Sequence, residues 1–311
     1  MDLREPALDC WYLTGPTASG KTSIGVELAE RLGAEIISLD SMALYRGMDI
    51  GTAKPSADDR QRVPHHLVNV LEPNEDFSIS DYTRRAHETI AEIRSRGREV
   101  LFVGGTSLYL KAMLRGLDPG PPADWEFRRE VDAEVERVGI EALHERLRQV
   151  DPLSAAKLHP HDKRRIIRAL EVFRATGQPI SHRQMQFDEG AAAERCRVFA
   201  LFWPRAELHR RIETRVDRMF AEGLVDEVRG LLARFGSISR TATQAVGYRE
   251  ALAHLEQHVP LDRTIETVKA RTRQFARRQE TWFRSLSECR RVAMTPDATP
   301  AEVVERIVAD A

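Results

Sequence analysis

The chain lacks the features that direct a protein into a membrane or out of the cytoplasm. No stretch approaches the roughly 18 consecutive apolar residues of a membrane helix, and the first five residues include two acids but no apolar run typical of a secretory signal. Its three cysteines, Cys10, Cys196 and Cys289, are far apart and odd in number, which predicts neither a disulfide framework nor a zinc site. We therefore expect a cytoplasmic protein with no membrane partner.

A strong overall charge is also missing. The formal net charge of the 311 residues is -1, so the molecule as a whole has no field that would attract nucleic acid. Charge is concentrated locally instead, because residues 261–291 contain nine Lys or Arg against four acids. We expect any polyanion to be bound by such a local cluster.

Short apolar segments at 10–14, 35–39, 100–103 and 198–203 alternate with longer helical patterns. This alternation predicts an α/β fold with a parallel sheet and helices on both faces. Residues 117–193 instead read as charged amphipathic helices, over 126–138, 140–149 and 164–176, and predict an inserted all-helical domain. The core then consists of residues 1–116 and 194–311, with further helices over 210–234 and 263–286.

The segment 15–22 matches the phosphate-loop pattern Gly-x-x-x-x-Gly-Lys-[Ser/Thr], and it lies between a predicted strand and a predicted helix. Its glycines permit a tight turn whose N–H groups donate to phosphate oxygens, while Lys21 adds a positive charge. The Thr22 hydroxyl is a candidate ligand of Mg²⁺, the expected cofactor. The loop consists of Gly15, Pro16, Thr17, Ala18, Ser19, Gly20, Lys21 and Thr22.

One carboxylate stands where a phosphate-loop protein needs one. Asp40 follows the predicted strand 35–39, so it faces the ligand crevice of an open α/β sheet as a metal ligand or a base. The strand 100–103 ends instead in Gly104-Gly105-Thr106, which offers backbone donors and a hydroxyl. Users of nucleoside triphosphates generally place an Asp after a second strand, so the pattern favours another use of the loop.

Several longer segments carry a family resemblance. They are the phosphate loop 15–22, Asp40-Ser41-Met42-Ala43-Leu44-Tyr45-Arg46-Gly47 continuing to Pro55, Pro64-His65-His66-Leu67, 104–110, Arg165-Ile166-Ile167-Arg168 continuing to Val172, 211–216, Val246-Gly247-Tyr248-Arg249-Glu250 and 277–284. In this order the segments resemble the tRNA dimethylallyltransferases of bacteria, over nearly the whole chain. Two departures are Ala43-Leu44, where many members have Gln-Val, and Ser107, where Gly is frequent.

The resemblance implies transfer of a dimethylallyl group from dimethylallyl diphosphate to N6 of the adenosine at tRNA position 37, in tRNAs that read codons beginning with U. By the same resemblance Asp40 is the base, Thr22 and Mg²⁺ steady the leaving diphosphate together with Lys21, and Arg215 helps to bind it. The chemistry is consistent, because N6 is a weak nucleophile and needs a carboxylate to accept its proton. The inserted helical domain is implied to hold the anticodon stem-loop, and we expect a monomer.

The resemblance also implies a set of tRNA contacts, which lie in loops after predicted strands or on basic helices. They are Asp40, Ser41, Met42, Ala43, Thr106, Arg128, Arg164, Arg165, Arg168, Gln244, Gly247, Tyr248, Arg249, Arg271, Gln274, Arg278 and Trp282. Helical spacing independently places the last four on one face. Whether Arg211 or Arg215 clamps the diphosphate is left open by the sequence.

Three other functions fit parts of the pattern. A phosphate-loop kinase would bind ATP, a prenyltransferase of free adenine nucleotides would act on AMP without tRNA, and a non-enzymatic RNA-binding protein would keep only a relic loop. The kinase leaves the basic segment and the helical insertion unexplained. The relic is disfavoured by the intact Lys21, Thr22 and Asp40.

Overall fold

A computed structural model describes residues 5–311, apart from the side chains of Gln186 and Asp188. These residues form two compact units, one from 6–114 with 190–311 and one from 115–189. We call them the core unit and the helical unit. The edges expected from the sequence, near 117 and 193, lie within four residues of these bounds.

The regular elements of the described residues alternate as in other α/β proteins. The strands are β1 Trp11–Thr14, β2 Ala34–Ser38, β3 His65–His66, β4 Glu99–Val103, β5 Arg197–Phe202 and β6 Cys289–Ala293. The helices are α1 Lys21–Leu32, α2 Ala57–Arg62, α3 Ile79–Ser95, α4 Ser107–Arg115, α5 Trp125–Val138, α6 Ile140–Val150, α7 Pro152–Lys157, α8 Lys163–Thr176, α9 Ile180–Arg183, α10 Arg205–Ala221, α11 Leu224–Phe235, α12 Arg240–Thr243, α13 Tyr248–Gln257, α14 Leu261–Ser285 and α15 Pro300–Ala309. None of these helices is both long and apolar enough to cross a membrane.

The six strands of the described core unit form one sheet in the order β3-β2-β4-β1-β5-β6, and every pair is parallel. Strand β1 is central, with Trp11 opposite Leu101 on one side and Arg197 on the other. Because parallel strands end at the same edge, the loops after β1, β2 and β4 meet there. The predicted α/β fold is confirmed.

Helices cover both faces of the sheet. Along β1, Tyr12 packs into one hydrophobic cluster while Trp11 and Leu13 pack into the other, as the two-residue repeat of a strand requires. Tyr12 stacks on Phe102 of β4 with ring centroids 4.8 Å apart. The buried sheet therefore holds the loops at its carboxyl edge on a rigid base.

Two expectations about the core elements need correction. The helix expected over 210–234 is two helices, because α10 ends at Ala221 and Gly223 adopts a left-handed conformation, with φ 97°, before α11 begins. A glycine enters this conformation at little cost, whereas other residues do not. Strand β6 was not expected, since Arg290 and Arg291 interrupt its apolar pattern at the edge of the sheet.

The helical unit has a small core of its own. The three expected helices are present as α5, α6 and α8, and Phe127, Leu143, Leu147, Ile166 and Leu170 pack between them. Each helix buries one side of its surface, as the spacing of its apolar residues predicts.

Candidate active site

The phosphate loop connects β1 to α1 and depends on two glycines. Gly15 has φ 149°, and a Cβ there would lie 3.0 Å from the Leu201 carbonyl oxygen. Gly20 is left-handed, with φ 89°, immediately before the first residue of α1. A side chain at either position would strain the backbone, so the loop keeps its tight shape and α1 begins with its N–H groups at the carboxyl edge of the sheet.

Lys21 closes the loop on itself. Its Nζ donates to the carbonyl oxygens of Gly15, at 2.9 Å, and Pro16, at 2.7 Å. Burial, together with the charge of Arg215, lowers the pKa of Lys21 to about 7, although the charge of Asp40 opposes the shift. The amine is thus short of a negative partner, which a bound anion would supply.

Two side chains from residues 190–311 of the core unit donate to carbonyl oxygens further along the loop, those of Ala18 and Ser19. Arg211 of α10 donates from Nε to the Ala18 oxygen at 2.8 Å, and Trp203 donates from Nε1 to the Ser19 oxygen at 3.0 Å. The Arg211 guanidinium also lies over the Trp203 ring, 4.3 Å from its centroid. These bonds fix the carbonyl groups, which leaves the loop shaped for an anion on its other side.

The loop opens into a cavity of about 940 Å³ in the core unit. The basic side chains that line it are Lys21, Lys54, Arg210, Arg211, Arg215 and Arg218, and the acidic ones are Asp40, Asp49, Asp59 and Glu222. Apolar lining comes from Ile36, Ala43, Ile50, Ala53, Pro55, Val103, Met219 and Phe275. One cavity therefore offers cations for an anion, a carboxylate at Asp40 and apolar surface for a hydrocarbon group.

Arginines 211 and 215, between which the sequence did not decide, both line this cavity. Arg215 donates from Nη2 to the Thr52 carbonyl oxygen at 3.4 Å. Burial lowers the pKa of both guanidinium groups, and the Asp40 charge partly offsets the shift at Arg215. Both remain charged, because the pKa of a guanidinium starts above 12.

Asp40 is held at the end of β2. Its Oδ1 accepts the Met42 N–H at 2.9 Å, and the neighbouring Ser41 N–H donates to Thr106 Oγ1 at 3.0 Å. The turn after β4 touches the same backbone, since a Cβ on Gly104 would lie 2.3 Å from the Leu39 carbonyl oxygen. The structure thus brings the predicted Asp40, Ser41 and Thr106 together, with Met42 partly buried beside them.

The oxygen donors in the cavity suit Mg²⁺. Thr22, in the first turn of α1, and Asp40 both line it, and hydroxyl and carboxylate oxygens are ligands that Mg²⁺ accepts. Among the described residues there is no cluster of three or more His, Cys, Asp or Glu that could hold a metal. A bound Mg²⁺ would therefore take its other ligands from water and a phosphate group.

The basic residues predicted on α14 lie at its surface. Gln274, Arg278 and Trp282 are exposed, and 39% of Trp282 is accessible to solvent. Arg271, one turn earlier, is half-buried and paired with the buried carboxylate of Glu250. This face combines hydrogen-bonding, cationic and aromatic groups, a combination that suits single-stranded RNA.

The residues predicted within 244–249 differ in their exposure. Gln244 and Arg249 are exposed, whereas Gly247 and Tyr248 are buried. Tyr248 donates from its hydroxyl to Glu227, whose other carboxylate oxygen accepts the N–H groups of Asp49 and Ile50 at 2.9 Å each. The Tyr248 ring therefore braces a cavity loop from inside the core unit.

In the helical unit the four predicted arginines also differ in their surroundings. Arg164 and Arg165 are exposed, and Arg165 pairs with Asp162 in the same turn. Arg128 donates to both oxygens of the buried Glu171, at 2.8 and 2.9 Å, and Arg168 pairs with the same carboxylate. Both arginines thus pair with one buried carboxylate, which would be costly to leave unpaired.

The sequence analysis missed several site residues, including Trp203, Arg218 and the three that follow. Gln279 contacts the phosphate loop, Glu227 holds the 49–50 backbone, and Phe275 lines the cavity. Gln279 and Phe275 lie in the predicted basic helix, but not at the spacing that grouped Arg271, Gln274, Arg278 and Trp282 on one face. Glu227 is one acid among several in its helix, so only the tertiary structure distinguishes it.

The fold and the site define a phosphate-loop protein of α/β class, with an anion-binding loop and a carboxylate in one cavity. The family model described as IPP transferase matches residues 43–286. The chain belongs to the IPP transferase family, as its resemblance to the tRNA dimethylallyltransferases led us to expect.

Relatives and solved structures agree with this assignment. A tRNA dimethylallyltransferase of Rhodopirellula baltica is 53% identical over 290 residues, which cover 91% of this chain and 87% of the relative. One from Geobacter metallireducens is 49% identical, covering 88% of this chain and 89% of the relative. The full-length tRNA isopentenylpyrophosphate transferase of Bacillus halodurans superposes with a TM-score of 0.69 at 39% identity, covering 97% and 96% of the two chains. A eukaryotic dimethylallyltransferase described as acting on tRNA superposes with a TM-score of 0.76 at 26% identity, covering 92% of this chain and 74% of that chain.

Proposed function

We propose that the protein transfers a dimethylallyl group from dimethylallyl diphosphate to N6 of the adenosine at tRNA position 37, in tRNAs that read codons beginning with U. The observation that carries this proposal is the single cavity shared by the phosphate loop and Asp40. The names of the similar proteins support the same reaction. We further propose that the protein acts as a cytoplasmic monomer.

The donor binds with its diphosphate in the phosphate loop. N–H groups at the start of α1 donate to its oxygens, Lys21 supplies a charge, and Arg211 and Arg215 flank it. The Thr22 hydroxyl would hold Mg²⁺, which would neutralise negative charge on the diphosphate. The apolar lining, which includes Ile50, receives the dimethylallyl chain.

The reaction breaks the bond between the allylic carbon and its oxygen, and forms a bond from that carbon to N6. Asp40 accepts the proton that N6 loses, so the carboxylate becomes neutral while the electron pair of the broken bond leaves with the diphosphate. Fixed donors in the loop stabilise the charge as it develops there. Thr106 and the backbone around Ser41 hold Asp40 in place for this step.

The adenine must leave its stack in the RNA loop to reach Asp40 inside the cavity. Enzymes that act on a base generally extrude it and replace the lost stacking with aromatic or guanidinium groups. The exposed face of α14, with Arg278 and Trp282, provides such groups in the core unit. The helical unit holds the anticodon stem, with Arg164 and Arg165 at its surface.

Incubation with Mg²⁺, radiolabelled dimethylallyl diphosphate and an unmodified anticodon stem-loop tests the proposal. A stem-loop with guanosine at position 37 and free AMP serve as parallel acceptors, and an Asp40→Asn protein serves as the enzyme control. We expect label in the adenosine stem-loop alone. Label in AMP would indicate an enzyme of free nucleotides, whereas no label together with tight ATP binding would indicate a kinase.

A further inference from the structure

The buried face of α14 contacts the phosphate loop through one side chain. Gln279 is 4% exposed, and its Oε1 accepts the Thr17 N–H at 2.9 Å. Its Nε2 donates to the Gly105 carbonyl oxygen at 2.7 Å. One amide therefore links the phosphate loop after β1 to the turn after β4.

The geometry leaves little freedom for this amide. A Cβ on Gly105 would lie 2.5 Å from Gln279 Nε2 and 3.3 Å from the Gly15 carbonyl oxygen, so three segments meet here and a side chain on Gly105 would displace the amide. Both polar ends of a buried amide are satisfied here, and removal of either partner would leave a buried group unpaired. The Gln279 amide therefore has a hydrogen-bond partner at both its oxygen and its nitrogen.

The position of Gln279 on its helix adds to this argument. Its sequence neighbour Arg278 is exposed on the face that we assign to RNA, while Ala276 and Phe283 are buried with Gln279 on the opposite face. Thr17, which it holds, precedes the Ala18–Thr22 segment that lines the cavity and to which the proposed function assigns the diphosphate. A helix that contacts the acceptor on one face therefore holds the donor loop on the other.

We propose that Gln279 is a positioning residue, which holds the phosphate loop at Thr17 against the Gly104–Gly105 turn in the shape that binds the donor diphosphate. The proposal rests on the proposed function, because that function assigns the diphosphate to this loop. Gln279 itself does not touch the reacting atoms.

The test measures binding and needs no turnover. Calorimetry with Mg²⁺ and inorganic diphosphate measures the diphosphate affinity of two variants. Gln279→Met keeps the side-chain volume but loses both hydrogen bonds. Gln279→Glu keeps an acceptor for Thr17 but repels the Gly105 oxygen and the diphosphate. We expect diphosphate affinity to fall about tenfold in Gln279→Met and further in Gln279→Glu. The affinity for the anticodon stem-loop should change little, the melting temperature should fall by a few degrees because Thr17 and Gly105 each lose a partner, and the exposed Gln257→Met serves as the matched control.

A second variant perturbs the same contact from its other side. Gly105→Ala places a methyl group against the amide, so it should also weaken diphosphate binding, and its effect should shrink in a Gln279→Ala background. Unchanged diphosphate affinity in the Gln279 variants would overturn the proposal, as would equal fold-losses of diphosphate affinity and stem-loop affinity. Failure of the proposed function would appear separately, as a wild-type protein that binds diphosphate but transfers no label.

Discussion

Donor binding should draw a proton from solution, because the Lys21 amine is buried without an anionic partner. With its pKa lowered to about 7, roughly nine tenths of the amines are neutral at pH 8 in the ligand-free protein. A bound diphosphate places negative charge beside Nζ and raises its pKa again, so Lys21 becomes protonated. We therefore expect Lys21 to take up close to one proton, about 0.9, for each donor bound at pH 8.

The pH dependence fixes the sign of this effect. At pH 6 about nine tenths of the amines already carry a proton before binding, so the contribution of Lys21 falls to about 0.1 proton. Uptake assigned to Lys21 must then increase as the pH rises from 6 to 8.

Calorimetry in two buffers with different ionisation enthalpies gives the number of protons exchanged. The matched control is Lys21→Arg, which stays charged at both pH values, so subtracting its result removes protons exchanged by the donor and by other groups. Equal proton numbers in the wild type and Lys21→Arg at pH 8 would refute the reasoning. A difference that is larger at pH 6 than at pH 8 would refute it as well.

Three further predictions follow from the site. Asp40→Asn should slow single-turnover transfer by about a hundredfold or more with stem-loop affinity unchanged, and an equal loss of affinity would make Asp40 a binding residue. Arg278→Gln should reduce the slope of log affinity against log salt by about one, unlike the distant, exposed Arg31→Gln; an unchanged slope would remove Arg278 from the phosphate contacts. Tyr248→Phe should lower stability by about 1–2 kcal/mol, because the half-buried carboxylate of Glu227 loses a donor, while stem-loop affinity in filter binding stays constant. Weaker RNA binding at unchanged melting temperature would instead place Tyr248 at the RNA.

The parts of this fold that depend on local pattern were predictable from the sequence. The four expected strands match β1, β2, β4 and β5 within a residue, because each is a short apolar segment between helices. The phosphate loop was equally local, since its glycines, lysine and threonine are contiguous. The short strand β3 and the arginine-containing β6 are set by their neighbours in the sheet, so pattern alone did not indicate β6.

The supporting part of the site could not be predicted in the same way. Gln279 lies 262 residues from Thr17 in the chain, and no periodicity or motif indicates such a pair. The resemblance assigned Tyr248 and Arg168 to RNA, yet the structure pairs the buried Tyr248 with Glu227 and pairs Arg168 with the buried Glu171. A family motif identifies which residues matter, whereas tertiary contacts reveal what each side chain touches.

The order of strands has a consequence for biosynthesis. Strand β1 is complete at Thr14, but its neighbour β5 ends at Phe202, so one side of β1 stays open while the intervening residues are translated. At rates of about 5–20 residues per second, this takes roughly 10 to 40 s. During that time the nascent chain carries an apolar strand with one edge unpaired, and such an edge can pair with another chain and aggregate. The amide that holds the phosphate loop emerges later still, so the anion site is completed only near the end of synthesis.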